Sequence, residues 1–460
     1  MANNKASKLS FRACFVQAFF KGLSVAILTL IVYQFFYIEF IRASIEDSAF
    51  DTTSWFALSK EETDTNASNV FILLVDDKYL KSKNLLDENN ETNYGYIMPR
   101  EYLADIINDV DILMEEIDEE NYPYALFLDY DLAYLSDPHN KIASTDDLKL
   151  LEVLKKDRPY IIYLPMTANY NIVYYSTDVD IQRQIKNQKI KFVSVGLTSA
   201  NDGVSRRYYA YETYKDSNGT DKKFMNIAIE LWSDQNFLDQ NVLNSFAQKG
   251  RALIENRIIF KDKHITEDNN YTAWQSNWKQ LSAVSAHYPF DMIYEDDLKN
   301  SVLMVGSAHS ASDDSFEIDA YSQEISGIEM HANALMTLNY LDGKLKRLPL
   351  FWSLTIVFSV LFSIDLLLSL IFDTKVYKKL IKWNKKIKVE WIQSIMFNLI
   401  PKKREDFSEM WLILLSIILM FFISHKLLLG SEHYWFNWLI PAMMSVPYMM
   451  IMGIKKIFIK

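Results

Sequence analysis

The stretch NVFILLVD, Asn69 to Asp76, places six consecutive apolar residues, Val70 to Val75, between an asparagine and an aspartate. A short apolar run with no polar alternation fits a strand buried on both faces, as in a parallel sheet covered by helices on either side. The residues that follow agree. MPREYLADIINDVDILMEEI, Met98 to Ile117, carries Leu103, Ile106, Ile107, Val110 and Leu113 at helical spacing, with Pro99 suited to a first turn. YALFLDYD (Tyr124 to Asp131) reads as a second strand. STDDLKLLEVLKK (Ser144 to Lys156) reads as a helix with Ser144 and Asp147 as a capping-box variant, and YIIYLP (Tyr160 to Pro165) as a third strand. Strand, helix, strand, helix, strand predicts an α/β domain with a mixed, largely parallel sheet and right-handed crossovers.

Further along the pattern is more mixed. KFVSVGL and VSRRYYAYETY are strand-like and separated by TSANDG, where Asp202 and Gly203 make a turn. FMNIAIELW reads as a short helix and SVLMVGS as another buried strand. SGIEMHANALMTLNYLDG, Ser326 to Gly343, reads as a capped helix whose Ile328, His331, Ala332, Leu335 and Leu338 share one face, which points His331 toward the sheet. The sequence has no internal repeat or low-complexity tract.

Half of the 460 residues are hydrophobic and Gly and Pro are few, so the chain is neither fibrous nor broadly disordered. Mean hydropathy near zero, in a chain with 59 acidic and 48 basic residues, signals a polar part averaged with a very apolar part. The apolar part is four runs: 22–41, 350–372, 410–429 and 434–454. Each has about the 20 residues that cross a bilayer. The first lacks a cleavage site after it and reads as an uncleaved anchor. The segment 373–408 holds ten Lys/Arg against four acids, and residues 1–21 and 455–460 are also basic. Positive charge stays inside, so both termini and this segment are expected in the cytoplasm, and residues 42–347 outside, in a bacterial plasma membrane. Asp365 lies inside the second run. Its cost of about 2.5–3.5 kcal/mol is outweighed by the surrounding apolar residues.

Residues 42–347 carry 30 basic and 51 acidic residues. That charge repels nucleic acid and anionic lipid as ligands. The single cysteine, Cys14, lies outside this stretch, so the large domain relies on its core rather than on disulfides. Phosphate-cradling loops, nucleophile elbows and His-rich metal spacings are absent from the sequence, so no enzyme activity is expected.

Four carboxylates, Asp76 and Asp77 after the first strand and Asp129 and Asp131 after the second, read as lying at the carboxyl ends of neighbouring strands, where open α/β sheets bind ligands. They either hold a hard cation such as Ca²⁺ or Mg²⁺ or cap the helices that follow. Otherwise no cofactor is expected. Arg100, in the first turn of its helix, would pair with one of them. His331 is either a hydrogen-bonded core residue or a ligand-binding group.

Taken in order, ILLVDDKYL, YGYIMPREYLADII, ALFLDYDL, ANDGVSRR, SVLMVGSAHSASDD and SGIEMHANALMTLNYLDG resemble the motifs of the type-two CHASE domain, the sensory extracellular domain associated with cyclases and histidine kinases. The resemblance covers residues 46–454 and includes the family layout of one span, an extracytoplasmic α/β domain and three grouped spans. It departs at Tyr94, Tyr96 and Met98, where the family has a tryptophan-rich helix start. Family members usually continue into a kinase or cyclase, whereas this sequence runs to KKIFIK. The resemblance therefore implies a sensor that passes its state to a separate signalling protein, with a structural subunit of a cell-envelope complex as the alternative and a metal-dependent hydrolase behind both. A homo-oligomer is compatible with either.

The segment 373–408 offers the place for that transfer. Val376, Leu380, Trp383, Ile387, Trp391, Ile395 and Leu399 follow one another at steps of three or four, with lysines opposite. Such a basic amphipathic helix, with Trp383 and Trp391 on its apolar side, suits either the inner leaflet or a partner protein.

Overall fold

The computed structural model describes residues 11–35, 45–53, 70–94, 98–132, 135–136, 143–166, 179–199, 204–215, 219–236, 257–258, 278–283, 295–312, 314–317, 324–343, 345–371, 404–430 and 433–444. The chain divides into two compact units: Glu61–Leu345, and a second made of Met1–Lys60 with Lys346–Lys460.

The first unit is built on the strand the sequence marks most clearly. β1 (Val70–Val75) lies beside β10 (Val302–Ser307), which lies beside β2 (Ala125–Leu128), then β3 (Ile161–Pro165) and β4 (Ile190–Val193); β9 (Trp278–Ser282) forms the other edge. Every pairing in this six-stranded sheet is parallel. One face is covered by the helices Arg100–Glu116 and Thr145–Leu154. Their Leu103, Ile106, Ile107, Val110, Leu150 and Val153 join Phe71, Leu73, Leu126, Leu128, Leu303 and Val305 in one buried cluster. At ~1.5–3 kcal/mol for each fully buried side chain, this cluster is what makes the apolar periodicity decisive. The opposite face carries the helix Gly327–Leu341, which packs on β10 and on the helix Ile227–Gln235. Helices on both faces account for strands without polar alternation.

The approach of the Gly327–Leu341 helix to the sheet is close. A Cβ on Gly306 of β10 would lie 2.5 Å from the Cβ of Ile328, so only glycine fits there. The Ser144–Asp147 capping box read from sequence is present, and the capped start expected at Ser326 is a capping box with Glu329. Ser144 and Asp147 exchange bonds of 2.8 and 3.1 Å, and Glu329 accepts from the Ser326 amide at 2.8 Å and its hydroxyl at 2.9 Å. Pro99 sits at the N-cap position, one residue before the Arg100 helix.

Two local readings change. KFVSVGL divides into β4 and β5 (Leu197–Ser199), and VSRRYYAYETY divides into β6 (Ser205–Tyr208) and β7 (Tyr211–Lys215). β5 pairs with β6, and β7 with β8 (Asp221–Met225), in two small antiparallel sheets. The chain changes partners at Tyr209, whose amide donates to Gly196 O at 2.9 Å, a long-range choice with no local signal. The edge strand β9, WKQLS, is too polar to stand out, and β11 (Ser315–Glu317) and β12 (Glu324–Ser326) are too short.

In the second unit, three helices among the described residues, not four, are long and apolar enough to cross a membrane: Phe11–Phe35, Leu350–Ile371 and Arg404–Leu429. The first starts ten residues into the chain, not at Gly22, and its apolar window is Cys14–Ile31, so Lys21 lies inside it. Asp365, 3% exposed, receives a 2.7 Å bond from Lys21. The expected fourth run does not begin as a helix. β13 (Lys346–Arg347) pairs in parallel with β14 (Tyr434–Trp435), and helical structure resumes only at 439–444. Polar and aromatic groups hold Tyr434–Trp438 instead. Trp438 Nε1 donates to Thr53 Oγ1 at 2.9 Å, Ser424 Oγ to Phe436 O at 2.7 Å, and the Trp435 ring meets Phe50 edge-on at 5.0 Å. The rest of that run lies outside the described residues, as do Trp383 and Trp391 with most of 373–408.

Candidate functional site at the carboxyl edge of the sheet

β10 lies between β1 and β2, so the two aspartate pairs do not follow neighbouring strands. Two strand spacings, roughly 10 Å, separate their backbones. Adjacent position in the sequence misled here, because strands consecutive in the chain are not always neighbours in the sheet. The four aspartates are engaged separately. Asp76 Oδ1 accepts from the Tyr79 amide at 2.9 Å and caps the helix Asp77–Ser82. Asp77 Oδ1 accepts from the amide and hydroxyl of Ser310, at 2.8 and 3.1 Å, and ties the end of β1 to the loop after β10. Asp131 is exposed, and its main-chain carbonyl accepts a 2.6 Å bond from Arg100 Nη2. Arg100, expected to pair with one of the four acids, thus bonds the backbone of Asp131, and it is 2% exposed. Among the described residues no three of His, Cys, Asp and Glu are grouped to hold a metal ion.

Asp129 points toward the helix on the second face. Its Oδ2 lies 3.7 Å from His331 Nε2, longer than a hydrogen bond. The imidazole stands edge-on to Phe127 with centroids 5.7 Å apart and is 2% exposed, and its Nδ1 has no hydrogen-bond partner among the described residues. Burial pushes His331 down to about 3, so the ring is neutral at physiological pH. Burial, and after it the charge of Asp314, pushes Asp129 well above the usual carboxylate range. Asp314 is itself raised by burial, an effect opposed by the Gly327 N–H at the start of the helix. A Cβ on Gly327 would lie 2.5 Å from both Asp314 oxygens. The glycine lets a carboxylate sit against the N-terminus of the helix, where the dipole favours it.

The rim continues across the sheet. Ser307 Oγ donates to Tyr130 Oη at 3.2 Å, linking the ends of β10 and β2. Beyond β4, Ser194 donates to Glu212, which also accepts from Tyr214 at 2.9 Å. Burial raises the Tyr214 pKa, and Glu212 and Asp131 add to the shift. The edge is therefore a line of hydroxyls, carboxyls and one buried guanidinium. Asp314, Ser307, Ser310 and Tyr130 escaped sequence reasoning, because isolated hydroxyls and one acid of SASDDS carry no periodic signal. Gly327 was legible only as the residue after a cap.

The chain thus joins a three-layer α/β domain with a polar rim at the carboxyl edge of its sheet to three helices, among the described residues, that are long and apolar enough to cross a membrane. The CHASE2 domain family matches residues 25–370, and the chain belongs to that family. CHASE2 is an extracellular sensor domain, which agrees with the sensory reading of the sequence. No curated protein and no solved structure matches the chain.

Proposed function

We propose that the protein is a multi-pass sensor of a bacterial plasma membrane. Its α/β domain, outside the cell, binds a signal along the carboxyl edge of the sheet, and both termini and residues 373–408 are cytoplasmic. It works without catalysis or a resident cofactor and hands its state to a separate protein. The observation that carries this reading is the polar rim at the ends of β1, β10 and β2 in a chain of a sensor family, since open α/β sheets take their ligands at that edge. The excess of basic residues in 373–408 supports the orientation, and the apolar stripe with Trp383 and Trp391 is the proposed contact with the inner leaflet or the output partner.

Hydrogen exchange on the full chain in lipid nanodiscs tests the site, with and without the small-molecule fraction of spent growth medium. Slower exchange confined to the loops around Asp77, Tyr130 and Ser310 is expected. Slowing only elsewhere would place the site away from the rim. Orientation is tested in intact cells by a single cysteine at Ser394 in a Cys14→Ala background. It should resist a membrane-impermeant thiol reagent, and efficient labelling would reverse the map.

A further inference from the structure

We propose that the Lys21–Asp365 ion pair is a register lock between the first two membrane helices: it selects which turn of one faces which turn of the other, and it is not there for stability. The helices are antiparallel, since Phe15 meets Phe362 with ring centroids 5.2 Å apart and Phe19 meets Phe358 at 5.5 Å, partner numbers falling as helix numbers rise. Phe358 and Phe362 stack on each other at 5.8 Å. Gly22 leaves room for Phe358, with its would-be Cβ 3.1 Å from Phe358 O and 3.2 Å from the ring.

This apolar seam does not define one register. Phenylalanines four residues apart on both helices repeat every turn. Sliding one helix by a turn, ~5.4 Å, so that Phe15 meets Phe358 and Phe19 meets Leu354 keeps a ring pair and a ring–aliphatic contact in the seam. The ion pair is not replaceable in this way. Lys21 Nζ lies 2.7 Å from Asp365 Oδ1, with side chains 8% and 4% exposed, and the same slide leaves two charges unpaired in an apolar setting. A single polar contact in an otherwise degenerate seam sets register in coiled coils for the same reason. The pair is also incompletely satisfied, because Asp365 Oδ2 is buried without a hydrogen-bond partner among the described residues. A buried pair with an unmet oxygen does not outperform well-packed apolar residues in stability, which leaves specificity as its role. The inference requires only that these helices lie in a membrane and is independent of what the outer domain binds.

The test uses the full chain in native membranes, with Cys14→Ala and one of two cysteine pairs. Phe19→Cys with Phe358→Cys reports the observed register, and Phe15→Cys with Phe358→Cys the shifted one. With Lys21 and Asp365 present, the first pair should oxidise at least tenfold faster than the second. With Lys21→Met and Asp365→Leu together, the chain should still accumulate and the two pairs should oxidise within about threefold of each other. The exchanged variant, Lys21→Asp with Asp365→Lys, should restore the preference. A preference that survives the apolar double replacement overturns the proposal. So does failure of that double variant to accumulate, which would make the pair a requirement for assembly, and so does an exchanged variant with equal rates.

Discussion

His331 Nε2 and Asp129 Oδ2 face each other at 3.7 Å beneath the sheet, beside Phe127, with the imidazole held neutral by burial. The contact joins the Gly327–Leu341 helix to the end of β2, two elements that flank the candidate site.

The pH dependence of stability follows from this neutral ring. Unfolded, His331 takes up a proton near 6.5, whereas folded it does so only near 3. Its contribution is therefore fully present above pH 6.5 and is lost as pH falls from 6.5 toward 3. Asp129, raised in the folded state, acts in the opposite sense, and its contribution is lost as pH rises through its folded value. The melting temperature of the full chain in detergent should drop between pH 6.5 and 4 by more in the wild type than in His331→Met. Parallel curves for the two would mean the imidazole is solvated.

At the start of the same helix, Gly327→Ala drives a methyl group into the Asp314 carboxylate. A loss of about 1–3 kcal/mol is expected from this overpacking. Combining it with Asp314→Ala should recover most of that loss, measured by denaturant titration against the Asp314→Ala single variant. An additive double variant would refute the contact.

Gly306→Ala places its new Cβ against the Cβ of Ile328. Because Ala keeps that Cβ, Ile328→Ala should fail to relieve the strain fully, in contrast to the Gly327 case. Full recovery of the melting temperature in the Gly306→Ala, Ile328→Ala pair would show that the helix stands farther from β10 than described.

On the opposite face of the sheet, Asp111 accepts two 2.8 Å bonds from Arg158, Nε to Oδ1 and Nη2 to Oδ2, and a 2.7 Å bond from the Tyr160 hydroxyl. The Arg158 side chain is 4% exposed, so Asp111→Ala strands a buried guanidinium. The expected cost is about 2–3 kcal/mol, discounted from a fully buried pair because Asp111 keeps some access to water. Asp111→Ala with Arg158→Met should be milder than Asp111→Ala alone, and a harsher double variant would assign the stability to packing of the Arg158 stem.

Sequence alone determined the elements that local physics controls. Val70–Val75, Ala125–Leu128, Ile161–Pro165 and Val302–Ser307 are strands because uninterrupted apolar runs of that length have little alternative to a doubly covered sheet. The Arg100 and Thr145 helices follow from 3.6-residue periodicity, and the second also from a capping box that acts within four residues. What required the tertiary structure is every relation across long chain separations. The insertion of β10 between β1 and β2 parts the aspartate pairs, and the partner change at Tyr209 splits one apparent strand into two. The approach of Asp314 to Gly327 brings a distant acid within reach of the charge on Asp129. Lys21 reads as the flank of a membrane helix because a charge ends an apolar run. Only the packed helices show it inside, matched by Asp365 344 residues away, since the free energy that tolerates a charge there comes from its partner and not from its neighbours in the chain.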